Sequence, residues 1–394
     1  MFLLDEPFVS DFLVRTIKDK RYKIIATPVA KELVPDSSLN WIGEKEALEE
    51  LRRDPSAAIY SNSENALAWI DQNLGETALA SRIGAFKDKV KFRDLLRNAF
   101  PDFRYEKISL GEIQDLSPAD LFFPLVIKPS VGFFSIGVHI VKNQEDWERA
   151  KGELKPENLE SIFPENVLNT AHFIIEEFVD GEEYAVDFYY DDNGEVVVLN
   201  VMHHLFSSGT DTSDRVYSTS KEIIHRHKAE IEDFLNVLGE KLNLKNFPAH
   251  AEVRVDRWGK IVPIEVNPLR FGGWCTTGDL LGLTLGFNSY SSFVEHKRPD
   301  WDELFRGRED KLFSIVILNN NSGISPNDIG DFNYSALSDD FENPVVIRRI
   351  DIREYPVFGF VFAETSARNA KELSEMLNSD LKKYITRADG APIS

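Results

Sequence analysis

Three oxygen-bearing side chains fall on what reads as one face of a short hairpin. Residues 251–256, AEVRVD, and 261–267, IVPIEVN, flank Arg257-Trp258-Gly259-Lys260, and a glycine in a short polar break between apolar runs predicts a hairpin. A turn centred on Trp258-Gly259 sets Asp256 opposite Ile261 and Glu252 opposite Glu265, with Arg254 between them on the same side. Like charges directly across a strand pair repel, and the flanking Val253, Ile264 and Val266 weaken their screening by water. A divalent cation relieves that repulsion. Mg2+ takes carboxylate and amide oxygens together with phosphates, and Asn267 is the next side chain on the same face. The alternative at this point is a solvated face on which Arg254 bridges two surface glutamates.

Two further segments have the residue types for holding a phosphorylated ligand. Lys128 ends the apolar run 123–128 and precedes Ser130-Val131-Gly132-Phe133-Phe134-Ser135-Ile136-Gly137, a loop whose backbone N–H groups can approach phosphate oxygens while the lysine pairs with others. It is not a Walker sequence, and an ordinary hairpin with an exposed lysine accounts for it equally well. Glu176-Glu177-Phe178-Val179-Asp180-Gly181-Glu182-Glu183-Tyr184 joins two apolar runs through an acidic turn. Such a segment can offer backbone groups to a base edge and a carboxylate to ribose hydroxyls, or can simply be a solvated turn.

The elements that must position these groups are predominantly strands. Short apolar runs alternate with helix-like stretches over the first 86 residues, which predicts a small open α/β layer, and no G-x-G-x-x-G follows its first strand. A helix is predicted from about Lys87 to Ala99. Strand-like runs then cover 123–128, 138–141, 173–178, 184–190 and 196–201, before an amphipathic helix over 223–242 with Ile231, Phe234, Leu235 and Leu238 on one stripe. A buried helix or turn is expected over 280–287 and a polar connector over 296–311. A last α+β stretch follows, with strands near 313–318, 345–350 and 357–362 and a helix over 367–384.

In order along the chain, Asp88-Lys89 at a helix start, IKPSVGFFSIGV, EEFVDGEEYAV, AEVRVD and PIEVNPLRFGG resemble the ATP-grasp superfamily, of the carboxylate-amine/thiol ligase type seen in the large subunit of carbamoyl phosphate synthetase. The likeness covers roughly residues 1–300. It implies an α/β and α+β architecture: an N-terminal open α/β pre-ATP-grasp domain over 1–86, an ATP-grasp domain over 87–300 with a lid subdomain near 120–180 and a metal-binding part near 190–295, and an additional C-terminal α+β unit over 301–394.

By the same resemblance Lys89 and Lys128 are the nucleotide lysines, the 130–137 loop with Ser135 is the lid over the phosphates, and Glu176, Glu177 and Val179 belong to the nucleotide site. Glu177 and Val179 match the positions that bond adenine through the backbone, Glu183 matches the ribose carboxylate, and Glu252, Glu265 and Asn267 match the magnesium ligands. Two departures stand out: His250 replaces an arginine common two residues before the first metal carboxylate, and the arginine of the usual N-x-R comes one position late, as Arg270. ATP and Mg2+, with Mn2+ as a substitute, are the implied cofactors.

The implied reaction activates a carboxylate as an acyl phosphate and passes it to an amine or thiol, with Arg270 or Arg254 as the oxyanion donor. An ATP-grasp carboxylase and a non-catalytic ATP-binding module are the alternatives. The polar segment 202–218 is assigned as a substrate loop in which Arg215 grips a carboxylate, with His204 and His250 as further substrate contacts.

Composition narrows the partners. The 45 Lys and Arg against 66 Asp and Glu give a formal net charge of -21, which repels a nucleic-acid backbone. The 42% hydrophobic content is that of a globular chain, and no run reaches the ~20 apolar residues of a membrane span. The lone cysteine, Cys275, excludes an internal disulfide and a Cys-rich zinc site. The N-terminal residues lack the pattern of a secretory signal, so a cytoplasmic protein is expected, with small-molecule partners and a homodimer compatible with all of this.

Overall fold

The computed structural model describes residues 1–131, 137–155, 158, 172–208 and 213–390. Ser135, the centre of the expected lid loop and residues 209–212 of the expected substrate loop lie outside them. Among the described residues the strands form four sheets. The first is parallel, from β1 (Phe2–Leu3), β2 (Lys23–Ile25), β3 (Asn40–Ile42) and β4 (Tyr60–Ser61) in the order β3-β2-β1-β4. The second is antiparallel, from β5 (Tyr105–Ser109), β6 (Leu125–Pro129), β7 (His139–Val141) and β8 (His172–Glu177) in the order β5-β8-β6-β7.

The large central sheet contains β9 (Gly181–Tyr190), β10 (Val196–Leu205), β11 (Val216–Thr219), β12 (Phe247–Asp256), β13 (Ile261–Pro268), β14 (Lys311–Asn319), β16 (Pro344–Arg349) and β17 (Val357–Ser366). Its order is β13-β12-β9-β10-β11-β14-β17-β16, while β15 (Ile329–Phe332) and β18 (Ile385–Arg387) pair separately. The boundary expected near residue 301 does not interrupt this sheet: β11 pairs with β14, so three strands of the C-terminal stretch extend the sheet that carries the hairpin.

Helix Lys221–Leu242 covers one face of the central sheet. Ser220 caps it by accepting from Ile223 N at 3.2 Å, Asn243 ends it in the left-handed region at φ 47°, and Ile224, Ile231, Phe234, Leu235 and Leu238 are buried. Gly239 is required here, because a Cβ would stand 2.5 Å from the Tyr190 ring, whose hydroxyl donates to Leu235 O at 2.5 Å.

The helix expected from about Lys87 to Ala99 is shorter, Lys89–Leu96, and Asp88 separates it from a preceding helix, Ala78–Lys87. Asp88 caps the second by accepting from Val90 N at 3.0 Å and Lys91 N at 3.3 Å. Lys89 N then donates to Ser130 O at 2.8 Å, which fastens the helix start to the end of β6. The helix expected over 367–384 is shorter, Lys371–Asn378, and ends before Leu381 in the left-handed region.

Candidate active site

The hairpin carries its two glutamates opposite each other, by a route the sequence did not show. Near the turn the pairs are Val255–Ile261, Arg254–Val262 and Val253–Pro263, one residue off the expected register. A bulge at Ile264 then restores the offset, so Glu252 pairs with Glu265 and His250 with Asn267. The next strand, β9, places Glu183 beside Arg254 and Asp187 beside His250. β10 places His204 beside Glu183. Strand alternation therefore gathers Glu183, Asp187, His204, His250, Glu252, Arg254, Glu265 and Asn267 on one face.

That face lines a cavity of about 860 Å3, at the upper end of the range for a small-molecule site. Lys89, Lys128, Glu176, Glu177, Val179 and Arg270 line it too. The segment Phe178–Asp180 crosses from β8 of the second sheet to β9 of the central one, so the cavity lies where the two sheets meet.

Its charges are held in buried pairs. Glu176, 3% exposed, receives Lys128 Nζ at 2.6 Å and Arg93 Nε at 2.7 Å, and Arg93 also donates to Pro263 O at 2.5 Å. Burial pushes the Glu176 carboxyl upward, but Arg93 and then Lys128 outweigh it and hold the group at about 2. Glu183 bonds His204 Nδ1 at 2.9 Å and Arg254 Nε at 2.9 Å, and Arg254 Nη1 donates to Val179 O at 2.8 Å. Arg254 is thus bonded into the wall beside the sheet crossing, and it lines the cavity together with Arg270, the other arginine expected as an oxyanion donor.

Around the hairpin carboxylates stand four cations. Lys89 Nζ lies 3.8 Å from Glu265 Oε2, Arg270 Nη2 lies 3.5 Å from Glu64 Oε2, and Lys87 pairs with Glu64. Burial lowers the Lys87 ammonium to about 8, with Lys89 and Arg270 adding to the effect. Burial likewise lowers Lys89 and Arg270, opposed in both by Glu265. Burial also acts to raise the Glu265 carboxyl, yet Lys89 and Lys128 together bring it below the ordinary range. Glu252 is pushed well up by burial and then by Glu265.

Two carboxylates forced together, one driven toward its neutral form, form a site that a divalent cation would relieve. Asn267 donates to Glu265 Oε1 at 3.1 Å and brings an amide oxygen to the same place. Among the described residues no three His, Cys, Asp or Glu side chains form a metal-holding cluster. Two carboxylates and an amide instead suit Mg2+ that shares its coordination with ligand phosphates.

Arg215 is not among the described residues that line the cavity. It is 5% exposed and bonds the carbonyl of Ser379, so the assignment of its guanidinium to a substrate carboxylate is corrected: from its place just before β11 it reaches the C-terminal stretch. His204 and His250 do line the cavity, each oriented by a carboxylate, His250 Nδ1 lying 2.7 Å from Asp187. Burial, then Asp279, pushes the Cys275 thiol up to about 12, which leaves it a packing residue. Sequence reasoning missed Arg93 and Asp187. Both had a signal in spacing: Arg93 is four residues after Lys89 on a helix, and Asp187 four after Glu183 on a strand.

Residues 121–278 match the family model of the ATP-grasp domain. The chain carries an ATP-grasp domain. The large chain of carbamoyl phosphate synthase from Renibacterium salmoninarum is 23% identical over 254 residues, covering 62% of this chain, which spans about a fifth (21%) of that relative's length.

Three solved structures share the ATP-grasp fold over nearly the whole chain. The L-amino acid ligase of Bacillus licheniformis superposes with a TM-score of 0.69 at 16% identity, covering 98% of this chain and 97% of that one. Biotin carboxylase from Campylobacter jejuni, solved as a beta-gamma-ATP complex, gives 0.62 at 12% identity over 98% and 92%. N5-carboxyaminoimidazole ribonucleotide synthetase from Thermotoga maritima gives 0.60 at 15% identity over 98% and 98%. No helix among the described residues is long and apolar enough to cross a membrane.

Proposed function

We propose that this chain is an ATP- and Mg2+-dependent ligase that activates a carboxylate as an acyl phosphate and joins it to an amine or thiol, releasing ADP and phosphate. The observation that carries this reading is the convergence of Lys87, Lys89, Lys128 and Arg270 around the cross-strand pair Glu252–Glu265. Phosphoryl transfer needs charge neutralisation and in-line positioning more than covalent help. Mg2+ bound by Glu252, Glu265 and Asn267 would neutralise charge on the transferred phosphoryl group.

The chain's own residues do the rest. Lys128, clamped between β6 and Glu176, presents a fixed cation at the end of the lid sheet, and Glu183 offers its carboxylate to ribose hydroxyls. Val126 and Ile140, paired across β6 and β7, give the base an apolar bed. Arg270, directly after the metal strand, is placed to donate to the oxyanion that develops when the nucleophile attacks the acyl phosphate. The resemblance to an L-amino acid ligase supports an amine as the acceptor.

The test is ADP release across paired acids and amines, with hydroxylamine present to trap the acyl phosphate. Acid-dependent hydroxamate formation is the expected result. Tight Mg-ATP binding, seen as a raised melting temperature, with no ADP release for any acid would instead assign a nucleotide-binding module.

A further inference from the structure

The cavity has a second part that the nucleotide chemistry does not use. In the parallel sheet β1 is flanked by β2 on one side and β4 on the other, so the chain reverses its direction of winding between β1 and β4. Ligands of open parallel sheets bind at such a point, beyond the carboxyl ends of the strands. The residues that follow those two strands, Glu6 and Pro7 after β1 and Glu64 and Asn65 after β4, do line the cavity. Asn62 ties the two loops together, accepting from Asp5 N at 2.9 Å and donating to Asp5 O at 2.6 Å and Phe8 O at 2.9 Å.

Facing this point is an apolar wall supplied by the C-terminal stretch. Ile317 and Phe360 are direct partners across β14 and β17, Asn319 pairs with Val357, and Tyr355 and Pro356 precede Val357 in the turn from β16. All line the cavity. Trp274, seven residues after Asn267, completes the wall: its ring lies 4.8 Å from Tyr355, edge-on, and 5.7 Å from Phe360. The Tyr355 hydroxyl reaches Pro7 O at 3.5 Å, so the wall and the loop after β1 touch.

Trp274 holds φ 59° and ψ 24°, a left-handed conformation costly for a bulky residue. It is kept there by Arg348, which donates to Trp274 O at 2.7 Å and pairs with buried Asp279. Backbone strain maintained so that an indole enters a cavity marks a built feature.

We propose that this chamber, walled by Trp274, Ile317, Tyr355, Val357 and Phe360, receives the side chain of the ligated substrate, and that this substrate carries a bulky aliphatic or aromatic group. The class of substrate rests on the ligase reading; the chamber's preference for an apolar group does not. The turn between β16 and β17 thereby becomes the specificity element, which gives the C-terminal stretch its role in the site. A charged side chain set against Trp274, Ile317, Val357 and Phe360 would lose its hydration against rings and aliphatic carbons that cannot replace it.

The experiment uses the full chain with Mg-ATP and five free amino acids, leucine, phenylalanine, glycine, aspartate and lysine, each serving as acid and amine. ADP release with leucine or phenylalanine should exceed that with the other three by roughly tenfold or more in kcat/KM, the scale on which apolar pockets discriminate. Val357→Asp, at the half-buried rim where the fold tolerates a polar group, should erase that preference and leave the KM for ATP unchanged. Best turnover with aspartate, lysine or glycine, or an unchanged ranking in Val357→Asp, would overturn the proposal.

Melting shifts separate the two readings. If no amino acid releases ADP, yet leucine or phenylalanine raises the melting temperature of the parent chain and not of Val357→Asp, the chamber stands and the ligase reading falls. No shift with any of the five, alongside no ADP release, overturns the chamber as well.

Discussion

The two parts of the cavity are built on opposite physical principles. Around Lys128 and the β12–β13 hairpin, charged groups are held by one another: Glu176 by Arg93 and Lys128, Glu183 by His204 and Arg254, and Glu265 by Lys89. Around Trp274 the wall is rings and aliphatic carbons held by packing and one strained backbone. A preorganised charge array suits a ligand whose charge changes during reaction. An apolar wall suits a ligand that must be selected by shape. One end is therefore suited to chemistry common to many substrates, and the other to choosing among them.

The comparison is broken most directly at the hairpin carboxylates. Glu265→Gln removes, without loss of core volume, one of the two carboxylates proposed to hold Mg2+, and turnover should fall by roughly a thousandfold, about 4 kcal/mol of transition-state stabilisation. The fold should survive, because the change also removes the cross-strand repulsion with Glu252. Steady-state ADP release and a melting curve measure both. Normal turnover would remove the hairpin from the chemistry and leave the apolar end as the only functional part.

The next effect is on stability. Arg93→Met should cost about 3–5 kcal/mol, since it leaves Glu176 and Lys128 buried with one cation fewer. Urea unfolding measures it, and a change near zero would mean that the charged end is not held by its ion pairs. The same cluster sets an acid limit. Glu176 is held at about 2 against an ordinary 4.5. Its stabilising contribution, about 3 kcal/mol, is fully present above pH 4.5 and is lost as pH falls toward 2, where the folded chain must also take up the proton. Glu176→Gln should abolish that part of the pH dependence; an unchanged acid profile would sink the assignment.

What was legible in the sequence follows the same division. The cross-strand placement of Glu252, Glu265 and Asn267 was readable because two strands and a turn fix it locally, and the order of motifs pointed to Lys89, Lys128 and Glu183, which line the same cavity. The register near the turn was not readable: the structure pairs Val255 with Ile261, and only the bulge at Ile264 returns Glu252 to Glu265. The apolar chamber was invisible, since Trp274, Ile317 and Phe360 meet only when the segment after β13 reaches β17, and nothing local encodes that closure. The continuity of the C-terminal stretch with the central sheet was illegible for a related reason. β14 reads as the start of a new unit, but its partner β11 lies almost a hundred residues earlier.

The smallest predicted effect tests whether the apolar end is free of a substrate-binding arginine. Arg215 was the sequence's candidate for gripping a carboxylate, yet it is buried with its guanidinium on the Ser379 carbonyl. Arg215→Met keeps most of the side-chain volume and gives up that bond, so stability should fall by about 1–3 kcal/mol. Turnover and the KM for the carboxylate should stay within about twofold, because no substrate contact is lost. A tenfold rise in that KM with an unchanged melting temperature would put a charge back into the selecting end, and the contrast between the two ends would no longer hold.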